Sequence, residues 1–420
     1  MTAEIITIGD ELLIGQVVNT NQAYIAEQLN AVGLYVEKMT TIGDNERDIL
    51  EAFEAAMSRA DCVCVTGGLG PTHDDITKAM VCEFFKTDLV LNEEVLSDVK
   101  ELLSRRKIAW RQSAHDQAMV PRTCTVMRNK NGTAPGMMFE TEGKYFFSMP
   151  GVPYEMRGMV DDFIVPFFRS KNLEAVVLHR TLKTTGIAES LLAEKIGNVR
   201  DVIGDDGSVT LAFLPNPLGT KLRITVRETS RSAAEEKLLR AEAAIRAKAE
   251  QYIYSSDERG LEDVINELMR ERSLTLATAE SCTGGMIADR ITNVPGASEF
   301  FLRGFVAYSN LSKTEELGVD PALIEQYGAV SRETAEAMAR GAREISRADI
   351  ALSTTGIAGP TGGSPEKPVG TVWIGYSDVE TTFALQFNYG DHRLRFKERT
   401  SQAALELLRR KLLKIDIGRT

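Results

Sequence analysis

Two short segments of this chain combine residue types that could do chemistry with the glycines needed to expose them. The first is Ala279-Glu280-Ser281-Cys282-Thr283-Gly284-Gly285, between a β-rich run, Leu274 to Thr278, and a helical pattern, Met286 to Thr292. A serine on such a tight turn can be presented as a nucleophile, with the following backbone N–H groups as an oxyanion hole. The same serine could instead cap the helix, which is a frequent role of serine at such a junction. Cys282 is a rival nucleophile, although small buried cysteines are common core residues. A serine hydroxyl needs a base, and none of the four histidines falls in this segment. A desolvated, neutral lysine can serve instead. Lys313 is available, and its competing roles are a solvated helix position or a phosphate contact. Arg393, Arg395 and Arg399 could grip a phosphate through forked hydrogen bonds, or form a solvated basic face.

The second segment is Val65-Thr66-Gly67-Gly68-Leu69-Gly70-Pro71-Thr72-His73-Asp74-Asp75-Ile76-Thr77, again after a buried run and before a helix. Glycines there let backbone N–H groups approach a phosphate, and the helix start adds partial positive charge. Asp74 and Asp75 would repel a bare phosphate but suit a divalent cation bridging it. The loops Gly9-Asp10-Glu11 and Ile42-Gly43-Asp44 bring further carboxylates to the same edge if the sheet is parallel. An aspartate in this place can also cap a helix. His73 by itself carries little weight.

The elements that must position these residues alternate. Glu4 to Ile8, a helix near Gln22 to Leu29, Leu34 to Thr40, a helix near Arg47 to Met57, and Cys62 to Thr66 read as βαβαβ. Around Lys171 the pattern becomes strand (Thr181 to Thr184), helix (Glu189 to Ile196), two strands (Val209 to Leu214, Lys221 to Val226) and a charge-laced helix (Ala233 to Ala249), which reads as a solvated face. From Leu261 the βα rhythm returns: Leu274 to Thr278, a helix at Met286 to Thr292, Gly304 to Tyr308, a helix at Glu333 to Ile345, and Asp349 to Thr354. A hairpin, Thr371 to Tyr376 and Thr382 to Phe387, and a helix near Arg393 to Leu413 follow. The expected fold class is α/β: two unrelated three-layer α/β domains with mostly parallel sheets, joined by a small α+β module. The expected boundaries are 1–169, 170–255 and 256–420.

The first domain, with Asn19-Thr20-Asn21, Asn131-Gly132-Thr133-Ala134-Pro135-Gly136 and Met149-Pro150-Gly151-Val152-Pro153, resembles the N-terminal domain of the CinA (competence/damage-inducible protein A) family, which is similar to molybdopterin-binding domains. The resemblance implies an ADP-ribose pyrophosphatase that binds pyrophosphate at Gly67, Gly68, Leu69, Gly70, Pro71 and Thr72, with Asn19 and Gly136 nearby. It implies a divalent metal of the Mg, Mn or Co type, with K+ as a possible companion, on Asp10, Glu11, Asp44, Asp74 and Asp75, whose bound water would attack. Ala307-Tyr308-Ser309-Asn310 with Lys313, Thr354-Thr355-Gly356-Ile357-Ala358-Gly359-Pro360, and Lys367 to Val372 resemble the C-terminal domain of the same family. That resemblance implies a cofactor-free nicotinamide-nucleotide amidase that converts nicotinamide mononucleotide to nicotinate mononucleotide and ammonia. Ser281 would be the nucleophile and Lys313 with Tyr308 the proton-transfer pair. Glu280, Thr283, Gly284, Gly285, Thr355, Gly356 and Gly359 would line the substrate, with an arginine among Arg393, Arg395 and Arg399 on its phosphate. Two rival readings are a molybdopterin-binding or nucleotidyl-transfer role for the first domain, and a noncatalytic partner in competence or recombination.

Composition narrows the classes. Over 420 residues, 43% hydrophobic and 26% charged residues with 33 glycines fit a globular α/β enzyme. A net charge of -11 argues against direct nucleic-acid binding, which needs clustered Lys and Arg. Cys62, Cys64, Cys82, Cys124 and Cys282 form neither a disulfide framework nor a zinc pattern. With no secretory leader and no apolar run of about 18 residues, a cytoplasmic protein without membrane attachment is expected. The expected ligands are small nucleotides, and the expected assembly is a homodimer, on the general frequency of two-fold oligomers.

Overall fold

The computed structural model describes residues 1–72, 75–110, 112–171, 176–390 and 392–417. The chain folds as two compact units, Met1–Leu178 with Val226–Glu236, and His179–Thr225 with Lys237–Thr420.

The first unit is built on a six-stranded sheet in the spatial order Tyr35–Ile42, Thr2–Ile8, Cys62–Thr66, Lys144–Met149, Gly136–Thr141, Thr125–Met127. Neighbours among the first four strands run parallel, and the last two strands are antiparallel additions. Strand periodicity explains the two faces: Phe146 packs with Phe53 and Val81, while Phe147 packs with Ile25, Leu29 and Phe168. Burying each such ring contributes roughly 1.5–3 kcal/mol. The last hairpin is antiparallel because Glu142 and Gly143, at φ 52° and 76°, make a two-residue turn of the kind that fits strand twist.

In the second unit a five-stranded sheet runs Phe301–Val306, Leu276–Glu280, Ile350–Gly356, Thr371–Ser377, Thr382–Asn388. Leu276, Ile350 and Leu352 face the helices Leu261–Glu271 and Arg393–Leu413, whereas Ala277, Ala279 and Ala351 face Arg332–Ser346. The sheet is mixed: two pairings are parallel and two antiparallel, the last of them the expected hairpin. No helix forms between Gly356 and Thr371, and a parallel neighbour would need such a crossover.

The small module carries the sheet Val209–Asn216, Gly219–Glu228, Val176–Thr184, Ile253–Ser255, whose last strand pairs antiparallel with Val176–Thr184 and was not foreseen. Helix Arg231–Ala249 is not solvated all round. Ala234, Leu238, Ala241, Ile245 and Ala249 make a buried stripe at helical spacing. Among the described residues no helix is long and apolar enough to cross a membrane.

Candidate active site

Strand Leu276–Glu280 ends at Ser281, whose N–H donates to Thr354 O at 2.9 Å and so keeps the serine in register with the neighbouring strand. Gly284 and Gly285 then turn the chain at φ 61° and 92°, a region open to glycine, into helix Met286–Thr292. Its first free amides are taken by Glu280: Ile287 N donates to one carboxylate oxygen at 3.0 Å and Ala288 N to the other at 2.8 Å. Glu280 thus caps the helix, and Ser281 does not. At 1% exposure Glu280 holds the turn from beneath, whereas the sequence reading placed it against substrate.

The Ser281 hydroxyl faces Lys313, from helix Asn310–Leu317. Lys313 Nζ donates to Ser281 Oγ at 3.1 Å, to Ala307 O at 3.1 Å and to Ser309 O at 3.4 Å. Lys313 is 2% exposed and has no ion-pair partner among the described residues. Burial pulls its pKa below the ordinary lysine value, opposed by the neighbouring Cys282. A neutral amine has two N–H donors and one lone pair. Two carbonyls can take the donors, which leaves the lone pair for the Ser281 proton. Cys282 is 6% exposed, and burial pushes its thiol up to about 12, so it stays protonated and is a poor nucleophile.

The remaining expected residues separate into a framework and a rim. Thr283 is buried and its hydroxyl meets that of Thr354 at 2.7 Å; the Thr355 hydroxyl donates to Ala329 O at 2.6 Å. Both hydroxyls serve the framework. Gly356 closes its strand where a Cβ would stand 2.8 Å from Thr371 O. Strand Phe301–Val306 stops before Tyr308, which is 60% exposed. Its Oη accepts from Arg393 Nη2 at 2.8 Å, and Arg393 Nη1 donates to Gly359 O at 2.9 Å. No hydrogen bond among the described residues joins Tyr308 to Lys313. Arg395 is exposed, and its N–H donates to the capping His392 Nδ1 at 3.3 Å. Arg399 lines a different cleft of the unit. Sequence reasoning missed Lys397, whose Nζ lies 3.6 Å from where a Cβ on Gly284 would stand. Its helical spacing of four from Arg393 was the available signal.

In the first unit Gly67 and Gly68 have φ 119° and 64°, and a Cβ on either would collide with Ile8 O or with Thr77 Oγ1. Leu69 is a buried core residue. Pro71 and Thr72 are exposed. Asn19 caps helix Thr20–Ala31 and lines a cavity of about 90 Å³ with Glu11, Asn21 and Thr66. Asn21 Nδ2 donates to Gly151 O at 2.7 Å, while its Oδ1 is buried without a partner. Gly136 lies in the core instead, where a Cβ would stand 2.7 Å from both Met127 Cε and Met159 Sδ. The expected metal ligands are engaged locally. Asp10 N donates to Asp44 Oδ2 at 3.1 Å and Asp44 N to Asp10 Oδ1 at 3.3 Å. Asp75 Oδ2 accepts from Thr72 N at 2.8 Å. His73 and Asp74 lie outside the described residues. Among the described residues no three acidic, histidine or cysteine side chains converge to hold a metal, so they do not by themselves fit a metal centre.

Fold and site together define a mixed α/β protein with a serine–lysine pair at the end of a parallel strand. Residues 4–170 match the family described as Probable molybdopterin binding domain, residues 179–255 the Damage-inducible protein CinA KH domain, and residues 258–412 the CinA C-terminal domain. A CinA-like protein of Chloroherpeton thalassium is 45% identical over 417 residues, covering 97% of this chain and 99% of its own. A CinA-like protein of Salinibacter ruber is 41% identical over 413 residues, covering 98% and 100%. The crystal structure of the competence/damage inducible protein CihA from Agrobacterium tumefaciens is 42% identical, covering 38% of this chain and 99% of that one, at a TM-score of 0.34. The chain belongs to the CinA family.

Proposed function

We propose that the second unit hydrolyses the carboxamide of nicotinamide mononucleotide to give nicotinate mononucleotide and ammonia. The observation that carries this reading is the buried, ion-pair-free Lys313 placed 3.1 Å from Ser281 Oγ. Neutral Lys313 takes the Ser281 proton as Oγ attacks the amide carbon. The N–H groups of Cys282 and Thr283, next after Ser281 on the turn, donate to no backbone carbonyl among the described residues and are suited to the oxyanion. The protonated lysine then gives its proton to the leaving nitrogen, and ammonia departs. Water, deprotonated by the same lysine, cleaves the acyl ester and restores Ser281. Incubation of the purified chain with nicotinamide mononucleotide, with product identification, tests this. Nicotinate mononucleotide and stoichiometric ammonia are expected, and an intact substrate would overturn the reading.

For the first unit we propose cleavage of ADP-ribose at the Gly67–Thr72 turn. Supporting it are the cavity at the strand ends and the unpartnered Asn21 Oδ1 within its lining. Release of AMP and ribose 5-phosphate from ADP-ribose is the test. Tight binding of molybdopterin with no cleavage would favour the binding-module alternative.

A further inference from the structure

The second unit holds a cleft of about 550 Å³, apart from Ser281, Lys313, Tyr308 and Arg393. Loops 185–189 and 215–220 of the small module form one side. Leu385, Phe387 and Tyr389 with one stripe of the last helix form the other. The Phe387 and Tyr389 rings stack at 5.7 Å, which makes a flat apolar wall.

Two arginines and a glutamate meet under this cleft. Glu406 pairs with Arg409 at 2.7 Å and with Arg410 at 2.6 Å, and the three residues are 4%, 2% and 8% exposed. Two buried cations therefore share one carboxylate. Buried charge is costly unless matched, so the excess calls for an anion. Arg410 shows where. Its Nε donates to Glu406 and its Nη1 to Asp416 O at 2.8 Å, while Nη2 is buried without a partner. Where a Cβ on Gly186, itself in the lining, would stand, Glu406 Oε1 lies at 2.9 Å and that nitrogen at 3.0 Å. Gly186 has φ 74°, so glycine is favoured there and brings no side chain over the buried guanidinium. Arg399, three turns earlier on the same helix, adds an exposed cation to the lining. The other lining carboxylate besides Glu406 is Glu189, which is exposed.

We propose that this cleft binds a small amphipathic anion: a flat apolar body against Phe387 and Tyr389, with a carboxylate, sulfonate or phosphate on Arg410 Nη2 and Arg399. Apolar clefts with a few fixed polar groups are the usual form of small-molecule sites. The test is a fluorescence titration of the full chain with anilinonaphthalene sulfonate. Saturation at one dye per chain is expected, with unchanged affinity in Ser281→Ala. Arg410→Met, Arg399→Glu and Ala403→Trp, which fills the cleft, should each weaken binding at least about tenfold, the scale of one charge-assisted hydrogen bond. Inorganic phosphate at matched concentration should not displace the dye, because it lacks the apolar body. Should Arg410→Met fail to fold, the other two variants leave the Glu406 cluster intact and decide alone. Equal affinity in Arg399→Glu and Ala403→Trp, absence of saturable binding, or displacement by phosphate would overturn the proposal.

Discussion

Lys313 Nζ and Ser281 Oγ lie 3.1 Å apart although 32 residues separate them in the chain, and both belong to buried residues. The pairing is built from parallel-sheet geometry: one strand delivers the serine, and the helix after the neighbouring strand delivers the lysine.

The pH profile should follow the lysine. Its folded pKa is depressed by burial, and only the neutral amine accepts the Ser281 proton. Activity on nicotinamide mononucleotide should therefore fall as pH drops through a pKa below the ordinary 10.5. An acid limb at the ordinary lysine value in kcat/KM would show that Lys313 is not desolvated in solution.

Cys282 is expected to be dispensable. With its thiol pushed up to about 12, Cys282→Ala should keep kcat within about tenfold of the parent, while Ser281→Ala should lose at least about 1000-fold. Inverted losses in steady-state assays would move the nucleophile to the cysteine.

Glu280 separates support from substrate contact. Removing its carboxylate in Glu280→Ala strands one buried and one partly buried amide, at roughly 1–3 kcal/mol, so Tm should fall together with kcat. A raised KM with unchanged Tm would instead place Glu280 against the ligand.

Tyr308 should matter less than Lys313. Its hydroxyl accepts from Arg393 on an exposed rim, so Tyr308→Phe should cost less than about tenfold in kcat and act mainly on KM. A loss in kcat equal to that of a Lys313 variant would restore the tyrosine to the proton-transfer chain.

Much of this arrangement is legible in the chain before folding. The strand–turn–helix around Ser281 follows from an apolar run, two glycines and a helical period. Less legible are the uses of polar side chains buried within the motifs. Glu280, Thr283 and Thr355 look like ligand contacts by type, yet their acceptors and donors come from backbone or from a strand about 70 residues away, which local patterning does not reveal. Gly136 looks like a ligand position by its motif, but packing against Met127 and Met159 explains it. Lys397, which local patterning does not single out, lies by the Gly284 turn while Arg399 lines another cleft, because helical rotation, which depends on where the last helix is docked, decides which cation meets that turn.

The central claim is tested most directly by the turnover of nicotinamide mononucleotide in Lys313→Arg, with binding followed by calorimetry. Arginine keeps the positive charge but stays protonated at neutral pH, so it can anchor an anion and cannot act as base. The account predicts a fall in kcat of at least about 100-fold with affinity little changed. A nearly unchanged kcat with weakened binding would contradict it and leave Lys313 as an anchor, with another group activating Ser281.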